Sequence, residues 1–200
     1  SLSIRPATTF KSEIKFGRMK SSNTSIKMTG PDMYSEMFDQ SLYISNVASV
    51  LAYPLIRYLD KYDFSCTEQL VSKTLPYVLM GNSEFLGTNA TKSNEKIANT
   101  IQILGGRQND DGSFDLWAPD TKSTDNITNA NTAYITAYVM NFLSMAKKNG
   151  YNVPQSMYSR GMDFLRSYVG ENTINPSDAL SRAFAIYVLT ANDFVTTSYI

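Results

Sequence analysis

The period of the hydrophobic pattern changes near residue 46, and no single kind of secondary structure can serve both sides of that change. Before it, apolar residues alternate with polar ones: Phe10, Ile14 and Phe16, then Ile26 and Met28, then Met37-Phe38 and Leu42-Tyr43-Ile44. Bounded by Gly17, Ser21-Ser22-Asn23 and Gly30-Pro31, this pattern predicts three or four half-buried strands. Residues 1–45 are too few to close a sandwich alone, so the sheet is expected to be completed by strands from elsewhere in a parent chain.

After Asn46 the spacing is helical. Pro54 suits a first turn ahead of Ile56, Tyr58 and Leu59. Residues 66–80 carry Leu70, Val71, Leu75, Val78 and Leu79, with Pro76 expected to kink or end that helix. Ile97 to Leu104 stops at Gly105-Gly106, and Thr132 to Lys148 places Ile135, Tyr138, Val139, Phe142, Leu143 and Ala146 on one face. Pro154 opens a helix with Met157, Gly161, Leu165 and Tyr168 at helical spacing; Asn175-Pro176 caps and starts another with Leu180, Phe184, Tyr187 and Val188. About six helices joined by short polar turns predict a mainly α chain of hairpins sharing one core. The stretch Gly105–Trp117, with a tight turn at Asp111-Gly112, reads as a connector between hairpins.

Composition then removes most familiar chemistry. The 200 residues hold one cysteine and no histidine. That excludes Ser-His-Asp and Cys-His machinery, His-bearing zinc sites, an internal disulfide and Cys-rich metal cages. With 18 Lys+Arg against 18 Asp+Glu, nothing suggests a footprint for nucleic acid or an anionic membrane surface. No apolar run approaches the roughly 18 residues that span a bilayer. The chain opens on Ser1-Leu2-Ser3-Ile4-Arg5 without an initiator methionine, signal peptide or lipidation motif, and ends on Ser198-Tyr199-Ile200. It is expected to be a segment of something longer.

The lone cysteine lies in Cys66-Thr67-Glu68-Gln69. Residues three apart at a helix start can meet on one face. A sulfur there faces the positive end of the helix dipole, which favours the nucleophilic thiolate. If Cys66 attacks the Gln69 carboxamide and ammonia leaves, the product is an internal thioester. Such a bond lacks amide resonance, so its carbonyl acylates amines and releases the Cys66 thiol. Tyr62 and Phe64 are candidates to shield it from water. An arbitrary cysteine is most often inert and partly buried. Glu-Gln at the second and third positions after a given cysteine arises by chance roughly once in 400.

The residues Arg57-Tyr58-Leu59-Asp60-Lys61-Tyr62-Asp63-Phe64-Ser65-Cys66-Thr67-Glu68-Gln69-Leu70-Val71-Ser72 resemble the thioester region of bacterial alpha-2-macroglobulins. Similarity continues in order at Arg107-Gln108 with Asp111-Gly112-Ser113-Phe114, at Thr136-Ala137-Tyr138-Val139, and at Ser181 to Thr190. The resemblance implies that residues 46–200 are the N-terminal portion of an α/α-toroid thioester domain, with incomplete helical hairpins, and that residues 1–45 belong to a flanking CUB-like β-sandwich. It implies a single-use covalent endopeptidase inhibitor rather than an enzyme: bait cleavage elsewhere in the parent exposes a Cys66–Gln69 thioester, which captures a lysine of the attacking protease. Glu68 belongs to the motif without a role that spacing supplies. Implied partners are target proteases and the remaining domains of the parent, with no cofactor, no metal, no nucleic acid and no membrane insertion by this segment. The implied location is the periplasm, in a parent that can be a membrane-anchored lipoprotein. Complement-type relatives use a histidine to redirect the acyl group to hydroxyls, so its absence points to amine targets.

Alternatives stay open at this level. A degenerate fragment would keep the fold without forming the bond. A toroid enzyme would use Gln108, Gly112 and Phe114 as in the Gln-x-x-x-Gly-x-aromatic repeat of terpene cyclases, but no Asp-x-Asp-Asp acid motif occurs. Ser93-x-x-Lys96 has the spacing of a serine–lysine dyad but lacks a Lys-Thr-Gly partner. Ser93 is expected to cap a helix instead.

Overall fold

The computed structural model describes residues 13–20, 25, 42–46, 48–60, 65–80, 90–119, 130–170, 178–194 and 197. The chain divides into two compact units, Ser1–Lys61 and Tyr62–Ile200. In the first, a 3₁₀ turn at Ala48–Ala52 runs into helix α1, Tyr53–Asp60. Pro54 sits in the first turn of α1, where its missing N–H is not needed. The Tyr43 and Tyr53 rings lie 4.2 Å apart.

No strand occurs among the described residues of this unit. Ile14, Phe16 and Leu42-Tyr43-Ile44 have no ladder partner there, while Phe10, Ile26, Met28 and Met37-Phe38 lie outside the described residues. Alternation selects a face, but a strand also needs a neighbour to take its backbone hydrogen bonds. Helical patterning does begin just past Asn46, whereas the compact units separate at Lys61.

The second unit is helical: α2 (Thr67–Met80), α3 (Ala90–Gly105), α4 (Ala130–Lys148), α5 (Gln155–Gly170) and α6 (Ala179–Thr190). Helix α4 packs against α2, α5 and α6; α2 also meets α3, and α5 meets α6. Being covered on several sides, α4 buries more than the one expected face. Ala133, Ala137 and Met140 join Val139, Phe142, Leu143 and Ala146 in the core. Gly161 lets α5 approach closely, since a Cβ there would lie 2.3 Å from Met140 Sδ.

Of the two outcomes expected at Pro76, a kink or an end to the helix, the end is excluded, because α2 runs on to Met80. Tyr77 and Val78 are buried just beyond the proline. Burying two such side chains gains about 1.5–3 kcal/mol each, enough to offset the ~3 kcal/mol an interior proline costs. Ser93 does not cap a helix: α3 starts at Ala90, leaving Ser93 inside the helix and buried. Helix α6 takes Asp178 as its N-cap rather than Asn175, and Asn175-Pro176 lie outside the described residues.

The α4–α5 corner shows how local chemistry turns the chain. Gly150 has φ +84° and donates to Lys147 O, while Tyr151 N–H reaches back to Ala146 O at 3.0 Å. This left-handed closure is natural to glycine after a helix. Lys148 Nζ donates to Ala191 O at 2.7 Å, joining the C-terminal ends of α4 and α6.

Leu143 is fully buried at the centre of α4. Leu143→Ala should lower unfolding free energy by about 3 kcal/mol, measurable by urea titration.

Candidate functional site

Cys66 immediately precedes α2 and is buried. Its carbonyl accepts the Leu70 N–H at 2.9 Å, which makes Cys66 the N-cap residue of that helix. Cysteine is not among the residues that cap well with their own side chains. Here the first N–H of the helix is met by a distant segment. Thr67 N–H donates to Leu116 O at 2.8 Å and Thr67 Oγ1 donates to the same oxygen at 3.1 Å.

Gln69 follows three positions later in the first turn of α2, the spacing at which side chains share a face. Its Oε1 is buried and, among the described residues, accepts no hydrogen bond. Glu68 is exposed in the same turn, where its carboxylate meets the positive end of the helix dipole. The Glu68 carbonyl accepts from Ser72 Oγ at 2.8 Å, and Ser72 Oγ also pairs with Tyr138 OH at 2.9 Å. Thus α4 is tied to the same end of α2 one turn further on. Tyr62 and Phe64 lie outside the described residues.

The Gly105–Trp117 stretch is far more than a connector. It begins where Gly106 and Arg107 N–H groups close the end of α3 on Ile103 O and Leu104 O. Gln108 is buried, and its Nε2 donates to Gly112 O at 3.0 Å and to Met157 O at 2.9 Å, while its Oε1 accepts from Arg160 Nη2 at 2.6 Å. Both ends of one carboxamide are therefore used to lock the loop onto α5. Gly112 adopts φ +91°, and a Cβ there would fall 2.3 Å from Arg160 O, so the position requires glycine.

Beyond the turn, Gln108 and Phe114 form an antiparallel bridge. Phe114 N–H donates to Thr136 Oγ1 at 2.9 Å, and that hydroxyl donates to Thr132 O at 2.7 Å. Asp115 accepts from Thr132 Oγ1 at 2.6 Å and from Asn109 Nδ2 at 2.9 Å. The next residue is Leu116, whose carbonyl receives the Thr67 N–H at the start of α2. The loop thus measures the distance from α3, α4 and α5 to the Cys66 turn.

Arg107 completes the connection. Its Nη2 donates to Ser65 O at 2.8 Å and its Nη1 to Thr67 Oγ1 at 3.1 Å, one bond on each side of Cys66. The sequence displays Arg107, Thr67 and Leu116 within recognisable stretches but gives none of them a role at Cys66. No local signal could have found them, because these contacts join positions 40 to 49 residues apart. Among the described residues no cluster of three or more His, Cys, Asp or Glu could hold a metal, and no helix is long and apolar enough to cross a membrane.

Comparison with known proteins places this geometry in context. No family model matches the chain. It is 28% identical over 202 residues to an alpha-2-macroglobulin of Rickettsia conorii, covering 99% of this chain and 10% of that protein. Among solved structures it is similar to native Escherichia coli alpha-2-macroglobulin from domain MG7 to the C-terminus, with TM-score 0.61 and 27% identity over 75% of this chain and 24% of the other. Salmonella alpha-2-macroglobulin reacted with methylamine gives TM-score 0.58 and 25% identity over 76% of this chain and 10% of the other. Trypsin-activated E. coli alpha-2-macroglobulin gives TM-score 0.54 and 28% identity over 66% of this chain and 9% of the other. The chain spans about a tenth of the length of the curated relative.

Because a side chain at position 112 would meet the Arg160 backbone, Gly112→Ala should cost about 2–4 kcal/mol of stability. Urea unfolding checks the magnitude, and protection of the Thr67 amide in hydrogen exchange should fall with it.

Proposed function

We propose, because this chain belongs to the bacterial alpha-2-macroglobulin family, that it is the segment of a protease inhibitor carrying an internal thioester between Cys66 and Gln69. The mainly helical fold agrees with the helical region of those relatives. On this proposal residues 46–200 are part of an α/α toroid and residues 1–45 part of a CUB-like sandwich, in a periplasmic parent.

The observation that carries the chemistry is the buried, unbonded Gln69 Oε1 in the same turn as buried Cys66. A carboxamide oxygen left without a donor costs about 1–3 kcal/mol. A thioester carbonyl lacks nitrogen donation and accepts hydrogen bonds more weakly, so conversion lowers that cost. In the forming step the Cys66 thiol adds to Gln69 Cδ, the S–C bond forms, the C–N bond breaks, and the thiol proton leaves with nitrogen as ammonia. In the capture step an amine attacks the same carbon, the C–N bond of a new amide forms, the C–S bond breaks, and a proton from the amine passes to the Cys66 sulfur.

A relative's structure after reaction with methylamine supports an amine as the attacking group, and a trypsin-activated relative supports proteolysis as the trigger. With no histidine in the 200 residues, lysine is the expected target. Tyr62 and Phe64 are the proposed shield, and Glu68 contributes its charge to the first turn of α2.

Intact-mass measurement of the 200-residue chain should show one ammonia less than the sequence, with no titratable thiol. Methylamine should then release one thiol and leave one adduct on Gln69. A titratable Cys66 at full sequence mass in folded protein sinks the proposal. Cys66→Ala should abolish the adduct while changing stability by about 1 kcal/mol or less.

A further inference from the structure

The guanidinium of Arg107 brackets Cys66, bonding the carbonyl before it and the hydroxyl after it. Three features separate this contact from ordinary structural pairing. Among the described residues Arg107 forms no ion pair, and its acceptors are two neutral oxygens on either side of the cysteine. It brings a positive charge to the N-terminal end of a helix, where the macrodipole makes cations unfavourable. Its own backbone is held by the end of α3, through Arg107 N–H to Leu104 O at 2.9 Å, so the fork is aimed by a rigid element.

We propose that Arg107 is a positioning residue for the thioester: it fixes the Ser65–Thr67 backbone so that the Cys66 sulfur faces the Gln69 carbonyl carbon. This rests on the thioester reading of Cys66 and Gln69. Cys66 joins the helical ladder through its carbonyl alone, so the chain on its N-terminal side is set by what holds Ser65. Leu116 holds Thr67 alone. Among the described residues only Arg107 reaches both flanks, and a planar fork with several donors suits that double contact from one side chain. Loss of the Ser65 bond would let the sulfur swing away from Gln69. That change slows ring closure and, once the bond exists, lets water reach the acyl carbon.

The test compares the 200-residue chain with Arg107→Gln, Arg107→Lys and Thr67→Val, the last removing one of the two acceptors while leaving the arginine. Intact mass gives the fraction lacking ammonia. Added methylamine then partitions the thioester between the amine adduct and the hydrolysed product with Glu at 69. All readings are taken well below each variant's unfolding midpoint. Arg107→Gln should reduce the thioester fraction, or shorten its lifetime, by roughly tenfold, the size expected of losing a charge-assisted hydrogen bond. Arg107→Lys and Thr67→Val should fall between it and the wild type. A thioester fraction, lifetime and partition in folded Arg107→Gln equal to wild type overturn the assignment while leaving the thioester itself intact. Should Arg107→Gln fail to fold, wild-type behaviour in Arg107→Lys and Thr67→Val overturns it equally. A wild type at full sequence mass with a titratable thiol overturns the thioester reading, and Arg107's role with it.

Discussion

The buried carboxamide of Gln108 is the interaction on which the second unit depends. Its amide nitrogen holds Gly112 O and Met157 O, and its oxygen holds Arg160. A polar group this buried is tolerable only when both ends are bonded, since each unmet partner would cost about 1–3 kcal/mol. The requirement runs both ways: the loop must adopt one shape to satisfy Gln108, and α5 must sit at one distance to supply Met157 O. Gly112 removes the side chain that would otherwise keep Arg160 away. From that fixed point Phe114 and Asp115 reach α4, and Leu116 reaches the start of α2.

An N-cap normally combines two duties in one residue: ending the helix and satisfying its free N–H groups. At Cys66 these duties are divided. Cys66 ends the helix, while Leu116 and Arg107 supply the polar contacts to its neighbours. The buried Cys66 carries no capping side chain, and Gln69 follows in the first turn with an oxygen that has no donor among the described residues. A protein optimised only for stability would place Ser, Thr, Asp or Asn at position 66. The cost of the exception is met by long-range hydrogen bonds rather than by local sequence.

Much of this was legible in the chain itself. The helices at 67–80, 90–105, 130–148 and 155–170 follow their apolar spacing and their glycine stops. Cys66 and Gln69 were singled out by chemistry that needs both side chains close together; Cys66 is the N-cap of α2 and Gln69 lies in its first turn. Ser93 and Asn175 were judged by local preference, but an earlier start for α3 and a cap at Asp178 decided otherwise, while burial of Tyr77 and Val78 carries α2 past Pro76. The Asp111-Gly112 turn was recognised as a turn, and its role as a brace was not.

The sequence by itself determined which residues could do chemistry and where the helices run. Composition removes imidazole and all but one thiol, and periodicity is a property of neighbours a few positions apart. Only the tertiary structure decided what surrounds that thiol. Ser65, Thr67, Arg107 and Leu116 are brought together across as many as 49 residues of chain. Such contacts are dictated by how α2, α3, α4 and α5 pack, and packing is a joint property of the whole core that no single stretch encodes.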